Sequence, residues 1–138
     1  MSSPQLANLV AIGQLKTEPK DILEFDNLVR SAQVRLADAV KKSLSKESRF
    51  DLAYNAAHSL ALAALRWQGY RSTNRYLVFQ VLPQTAGVGP EVWRVLDKCH
   101  QRRNLAEYEG SFDIEDQLLV DLLACANALL IKVLMLKN

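Results

Sequence analysis

Residues 45–69 read Ser45-Lys46-Glu47-Ser48-Arg49-Phe50-Asp51-Leu52-Ala53-Tyr54-Asn55-Ala56-Ala57-His58-Ser59-Leu60-Ala61-Leu62-Ala63-Ala64-Leu65-Arg66-Trp67-Gln68-Gly69. Ser45 is a favourable helix opener, because its hydroxyl can accept an amide proton left unpaired in the first turn. Gly69 is a natural stop, since glycine takes up the left-handed conformation that closes many helices. Between them Ala53, Ala56, Ala57, Ala61, Ala63 and Ala64 present small side chains that let another helix approach closely. The stretch predicts a long helix at the centre of a bundle.

The flanking sequence agrees. Asp21 is placed to cap a helix to about Ser43, whose apolar residues Ile22, Phe25, Val29, Ala32, Leu36 and Val40 recur at three- and four-residue spacing. Residues 4–16 predict a short helix ended by Thr17-Glu18-Pro19, because a residue before proline avoids helical geometry. Beyond Gly69, residues 70–74 predict a turn. Arg75 to Leu82 predicts a short helix stopped at Pro83, and residues 85–90 a loop. Pro90 suits the first turn of a helix to about Tyr108, and Gly110-Ser111 breaks the chain. Asp113, Glu115 and Asp116 favour the positive end of a last helix, built on Leu118, Leu119, Leu122, Leu123, Ala126, Leu129, Leu130 and Val133. The expected fold is all-α, an antiparallel four- to five-helix up-and-down bundle forming one domain over 1–138, with 1–18 as an N-terminal helical extension.

Composition sets the same bounds. A chain of 138 residues suits one domain. With 49% hydrophobic and 23% charged residues it has apolar surface to bury, which argues against disorder. Five glycines and four prolines are few for an all-β chain. Met1 to Gln5 lacks the basic region and apolar run of a secretory signal. Cys99 and Cys125 read as reduced, packed thiols of a cytoplasmic protein, with no metal or cofactor expected. Leu118 to Leu136 is apolar enough to raise a membrane question. Asp121 and Lys132 would each cost about 2.5–3.5 kcal/mol near a bilayer centre, so a buried helix is expected there and no membrane partner.

Charge is unevenly spread. The whole chain holds 17 basic and 15 acidic residues. Residues 66–103 hold Arg66, Arg71, Arg75, Arg94, Lys98, Arg102 and Arg103 against only Glu91 and Asp97. Arginine's planar fork suits phosphate and carboxylate, so Arg66, Arg71, Arg102 and Arg103 are candidate contacts to a nucleic acid or nucleotide. A solvated face paired with the acidic C-terminal third explains the same pattern.

The stretch richest in chemistry is Asp97-Lys98-Cys99-His100-Gln101-Arg102-Arg103-Asn104-Leu105-Ala106-Glu107-Tyr108. At about 100° per residue, Asp97, His100, Arg103, Asn104, Glu107 and Tyr108 share one arc of roughly 140°, along with Trp93 and Leu96. Val92, Val95, Cys99 and Ala106 fall on the other side as core. Such a face can hold a phosphodiester through Arg103, orient it with Asn104 and move protons with His100 or Glu107. On spacing alone the face reads first as an exposed helix surface with an ordinary Arg103–Glu107 pair. His58, the other histidine, reads as a boundary residue of the alanine-rich helix.

The run Arg103-Asn104-Leu105-Ala106-Glu107-Tyr108 resembles the signature of the HEPN superfamily, the higher eukaryote and prokaryote nucleotide-binding domains. Ala64-Leu65-Arg66-Trp67-Gln68-Gly69-Tyr70-Arg71 resembles the small-residue helix and Gly-Tyr-Arg turn common in that family. The resemblance spans roughly residues 21–136. It implies a four- or five-helix bundle that forms a homodimer and binds RNA or nucleotide in a cleft at the dimer interface. Active members are metal-independent ribonucleases, many of them toxins paired with a nucleotidyltransferase antitoxin. Here Tyr108 stands where the signature has histidine, and a phenol with a pKa near 10 is a poor general base at neutral pH. The expected function is therefore RNA or nucleotide binding with a degenerate ribonuclease motif, in which Arg103, Asn104 and Tyr108 occupy the motif's positions and His100, three residues before Arg103, is the candidate substitute for the missing histidine. The alternatives are an active ribonuclease using Arg103 with His100 or Tyr108, and a non-catalytic protein-interaction bundle.

Overall fold

The computed structural model describes residues 3–110 and 113–138. Ser111, half of the expected Gly110-Ser111 break, lies outside the described residues, as do Met1 and Ser2 of the N-terminal stretch. The chain folds as an all-α bundle. Its elements are α1 (Pro4–Ala11), β1 (Lys16–Thr17), α2 (Ile22–Ala39), α3 (Lys46–Trp67), β2 (Tyr70–Arg71), α4 (Arg75–Gln80), α5 (Leu82–Thr85), α6 (Pro90–Glu109) and α7 (Asp116–Leu136).

The alanine-rich helix α3 is the centre of the bundle, packed against α2, α7, α4, α5 and α6. Ser45 caps it by accepting from the Ser48 amide at 3.1 Å. Ala53, Ala56, Ala57, Ala61, Ala63 and Ala64 are fully buried together with Phe50, Tyr54, Leu60 and Leu65. Small residues around much of its circumference give neighbouring helices room to seat their larger side chains against it. Helix α2 opens on Asp21, whose carboxylate accepts from the Leu23 and Glu24 amides. It buries Phe25, Val29, Ala32, Leu36 and Ala39, and ends four residues before the expected Ser43.

Helix α7 buries Leu118, Leu119, Leu122, Ala126, Leu129 and Val133. It is long and apolar enough to cross a membrane by length and composition, and its buried stripe packs against α3, α6 and α2. Asp121 and Lys132 lie outside that stripe, Asp121 half-buried and Lys132 exposed.

Two local expectations differ. Pro83 does not end the helical region after α4. It sits in the first turn of α5, where its missing N–H is not needed. Residues 12–20 do not simply trail from a short helix. Lys16 and Thr17 pair antiparallel with Arg71 and Tyr70, while Leu6 and Leu15 join the core. Gly69 makes this possible. At φ +89° it turns the chain sharply out of α3, and its carbonyl accepts from the Glu18 amide at 2.9 Å. The N-terminal stretch is thus sewn into the domain, not appended to it.

Candidate functional site

Three helices bring polar side chains to one place. From α3 come Asp51, Tyr54 and His58, spaced by three and four residues and so stacked along one face. From α4 come Arg75, Tyr76 and Phe79. From α6 come His100, Arg103, Asn104 and Glu107, again at helical spacing. Phe79, itself buried, forms the floor. Its ring lies 5.7 Å from Tyr54, 5.8 Å from His58 and 6.3 Å from His100.

Tyr54 is the hub. Its side chain is buried, and its hydroxyl lies 2.9 Å from Nδ1 of His100. The Arg103 guanidinium lies 5.2 Å and that of Arg75 5.9 Å from its ring centre. The other ring nitrogen of His100, Nε2, is 3.1 Å from the Asn104 side-chain amide. That amide donates, so Nε2 accepts, and Nδ1 carries the proton donated to Tyr54.

The charge states follow from the surroundings. Burial pushes the Tyr54 phenol upward, against a hydrogen bond from the Arg75 guanidinium and the positive charges of Arg75 and Arg103. Burial also pulls His58 down to about 4, with Arg75, His100 and Arg103 adding to the effect. His100 is lowered chiefly by burial. Asp97 opposes that shift, and Arg75 and Arg103 reinforce it. At neutral pH the two imidazoles and the phenol are therefore uncharged, and the arginines carry the positive charge of the cluster.

Carboxylates stand at its edge. Glu107 pairs with Arg103 at 2.7 Å, and Asp51 lies 3.8 Å from Arg103 Nε. Asp97 accepts from Gln101 at 3.0 Å. Arg75 forms no ion pair among the described residues, and its Nη1 is buried without a hydrogen-bond partner, as is Arg103 Nε. The Arg103–Glu107 pair is an exposed i,i+4 contact, worth about 0.3–0.5 kcal/mol. A phosphate accepting charge-assisted hydrogen bonds from the same guanidinium gains about 1.5–3 kcal/mol per bond, enough to displace it.

Of the residues singled out from sequence, His100, Arg103 and Asn104 meet here. Tyr108 does not join them; it is 93% exposed in the last turn of α6. Arg102 points to the junction with α7, donating to the Asp113 carbonyl at 2.8 Å. It lines a cavity of about 220 Å³ with Lys98, Gln101, Leu105, Glu115 and Leu118. Leu96, placed on the polar arc by helical angle, is buried because α4 and α5 cover the N-terminal part of that arc.

Arg66 and Arg71 belong to a different network, and the burial of Arg66 corrects its expected role as a nucleic-acid contact. Arg66 is only 1% exposed. It donates to Glu24 at 2.6 Å and to the carbonyls of Glu18, Pro19 and Tyr70, and pairs with the Glu18 carboxylate at 3.3 Å. Its donors are committed to the fold. Arg71 bridges Glu18 and Glu24, each at 2.7 Å, and both carboxylates are held below the ordinary range mainly by its hydrogen bonds.

Sequence reading missed Tyr54, Arg75 and the placement of His58. The available signal was the shared spacing of Asp51, Tyr54 and His58 on a helix otherwise lined with alanine. An open groove of about 470 Å³ on α2, lined by Asn27, Arg30, Ser31, Val34 and Arg35, holds no residue of the cluster. Compared with known proteins, the chain matches no family model, no curated protein and no solved structure at a significant level. The likeness to HEPN domains rests on the two short motifs.

Proposed function

We propose that this protein is a HEPN-like helical domain that binds the phosphate of RNA or of a nucleotide at the cluster of Arg75, Arg103, His100 and Asn104. One observation carries this reading. Two arginines from separate helices flank the uncharged Tyr54, and Arg75 among them has no carboxylate partner among the described residues. A part-buried arginine without a carboxylate partner, set beside a neutral phenol and neutral imidazoles, favours an incoming anion.

Binding rather than cleavage is the reading favoured by the site. Both ring nitrogens of His100 are already engaged, by Tyr54 and Asn104, which leaves no lone pair for a substrate hydroxyl. Tyr108 stands apart from Arg103. The test is titration of a fluorescent oligoribonucleotide at low salt in chelator, with Arg75→Ala and Arg103→Ala as controls. Affinity that falls at least tenfold in each variant supports the site; unchanged affinity in both removes it. Cleavage that disappears in Arg103→Ala would instead favour the active ribonuclease.

A homodimer is proposed alongside. Val120, Ile131, Leu134 and Met135 on α7 are between 41% and 60% exposed, an apolar stripe that a second copy would cover. A small nucleotidyltransferase encoded by a neighbouring gene would place the pair in a toxin–antitoxin system.

A further inference from the structure

We infer that the cluster's ligand carries an unpaired nucleobase, and that this base stacks on Tyr76. This rests on the phosphate-binding reading above and narrows its substrate to a free nucleotide or a single-stranded RNA.

Tyr76 follows Arg75 on α4, yet it differs from the residues after it. Leu77, Val78 and Phe79 are buried, whereas Tyr76 is 39% exposed. Its ring is nevertheless held in place. Trp93 meets it edge-on at 6.4 Å with the planes 86° apart, and His100 lies 5.5 Å away at 42°. An aromatic ring fixed by two aromatic neighbours and still open to solvent is a stacking platform, because little conformational freedom is lost when a base settles on it.

The platform adjoins the cations. Tyr76 touches His100, and Arg103 and Asn104 follow His100 by one turn of α6, about 5.4 Å of rise. Arg75 is its neighbour in the chain. A phosphate at the arginines therefore leaves the attached nucleoside beside the Tyr76 ring. The charge complementarity selects a phosphate ester, and the part of the ring left open selects a flat base. Bases inside an A-form duplex are already stacked on each other and present no face, so a double strand is excluded.

Calorimetric titration of the full-length chain, at low salt and in chelator, tests this with inorganic phosphate, ribose 5-phosphate, a nucleoside 5′-monophosphate, a single-stranded oligoribonucleotide and the same sequence as a duplex. The nucleoside monophosphate is expected to bind about tenfold more tightly than ribose 5-phosphate. Tyr76→Ala should erase that ratio while leaving ribose 5-phosphate unchanged, and Tyr76→Phe should keep it. A single strand that binds more tightly than the mononucleotide identifies RNA as the source, and the reverse identifies a free nucleotide; either outcome supports stacking. Equal binding of the two monophosphates, a ratio that survives Tyr76→Ala, or a duplex that binds as well as the single strand overturns the inference and leaves the phosphate site standing. Binding of none of the five overturns both.

Discussion

The Tyr54 hydroxyl and His100 Nδ1 lie 2.9 Å apart although 46 positions separate them in the chain. The bond is a polar joint between α3 and α6, beside the Asp51–Arg103 contact and set in an aromatic layer with Phe79. It fixes the imidazole so that its far nitrogen meets Asn104. The orientation of His100, and through it of Asn104, thus depends on one phenol from the centre of the bundle.

Tyr54→Phe keeps the ring and removes that hydroxyl. It should lower stability by about 1–2 kcal/mol, the cost of leaving a partly buried donor unmet. Urea unfolding should report a lower midpoint at unchanged slope. The same variant should weaken oligoribonucleotide binding, because His100 and Asn104 lose their shared support. An unchanged midpoint would mean that the joint carries no load.

Stability should depend on pH through His58. In the folded chain it takes a proton only near pH 4, whereas an unfolded histidine does so near 6.5. Between those values the unfolded state binds more protons, so stability rises with pH across the window and is lost as pH falls from 6.5 towards 4. The expected loss from His58 is about 2–3 kcal/mol, and His100 adds to it with the same sign. Glu18 and Glu24 act in the same direction but only below about 4.5, where unfolded carboxylates begin to protonate. His58→Gln should flatten the curve between pH 5 and 6.5. Parallel curves for variant and parent would rule out the buried imidazole as the source.

Arg66→Met should destabilise by about 2–4 kcal/mol, since it leaves unmet three carbonyls that the guanidinium satisfies and leaves Glu24 to Arg71 alone. Arg66→Lys should recover only part of this, because an ammonium has three donors and no fork. Arg71→Ala, at a solvent-screened bridge, should cost far less than Arg66→Met. Arg71→Ala should also leave nucleotide affinity unchanged. A clear loss of affinity there would return Arg71 to the binding surface.

Ile131→Glu combined with Met135→Glu should abolish self-association without unfolding the chain, because both side chains are 60% exposed. Sedimentation velocity at tens of micromolar, beside circular dichroism, separates the two effects. Equal sedimentation of parent and variant would end the case for a dimer along α7.

The bundle was legible in the sequence because its determinants are local. The alanine run, the Ser45 and Asp21 caps and the three-four spacing of apolar residues each act within one helix. The candidate site was half legible for the same reason: His100, Arg103 and Asn104 share one helix face. What pairs with a charge is not local. Arg66, Arg71 and Arg75 lie within ten positions and look alike in sequence. Only the packing of α2 against α3 sends the first two to Glu24 and Glu18, and only the seat of α4 brings Arg75 to Tyr54. Tyr54 was hidden because a single aromatic among alanines reads as core, which it also is.

The Arg66 clasp has a consequence for the order in which the molecule assembles. The guanidinium joins the end of α3 to Glu18, Pro19 and Glu24, more than 40 residues earlier in the chain. That closure gains nothing until α2 and α3 have already docked, so the N-terminal strap should lock last and release first. Amide protons of Glu18 and Tyr70 would then exchange faster than those of Ala57 or Leu60. A protease would find its first cut in the strap, while the remaining helices still held together.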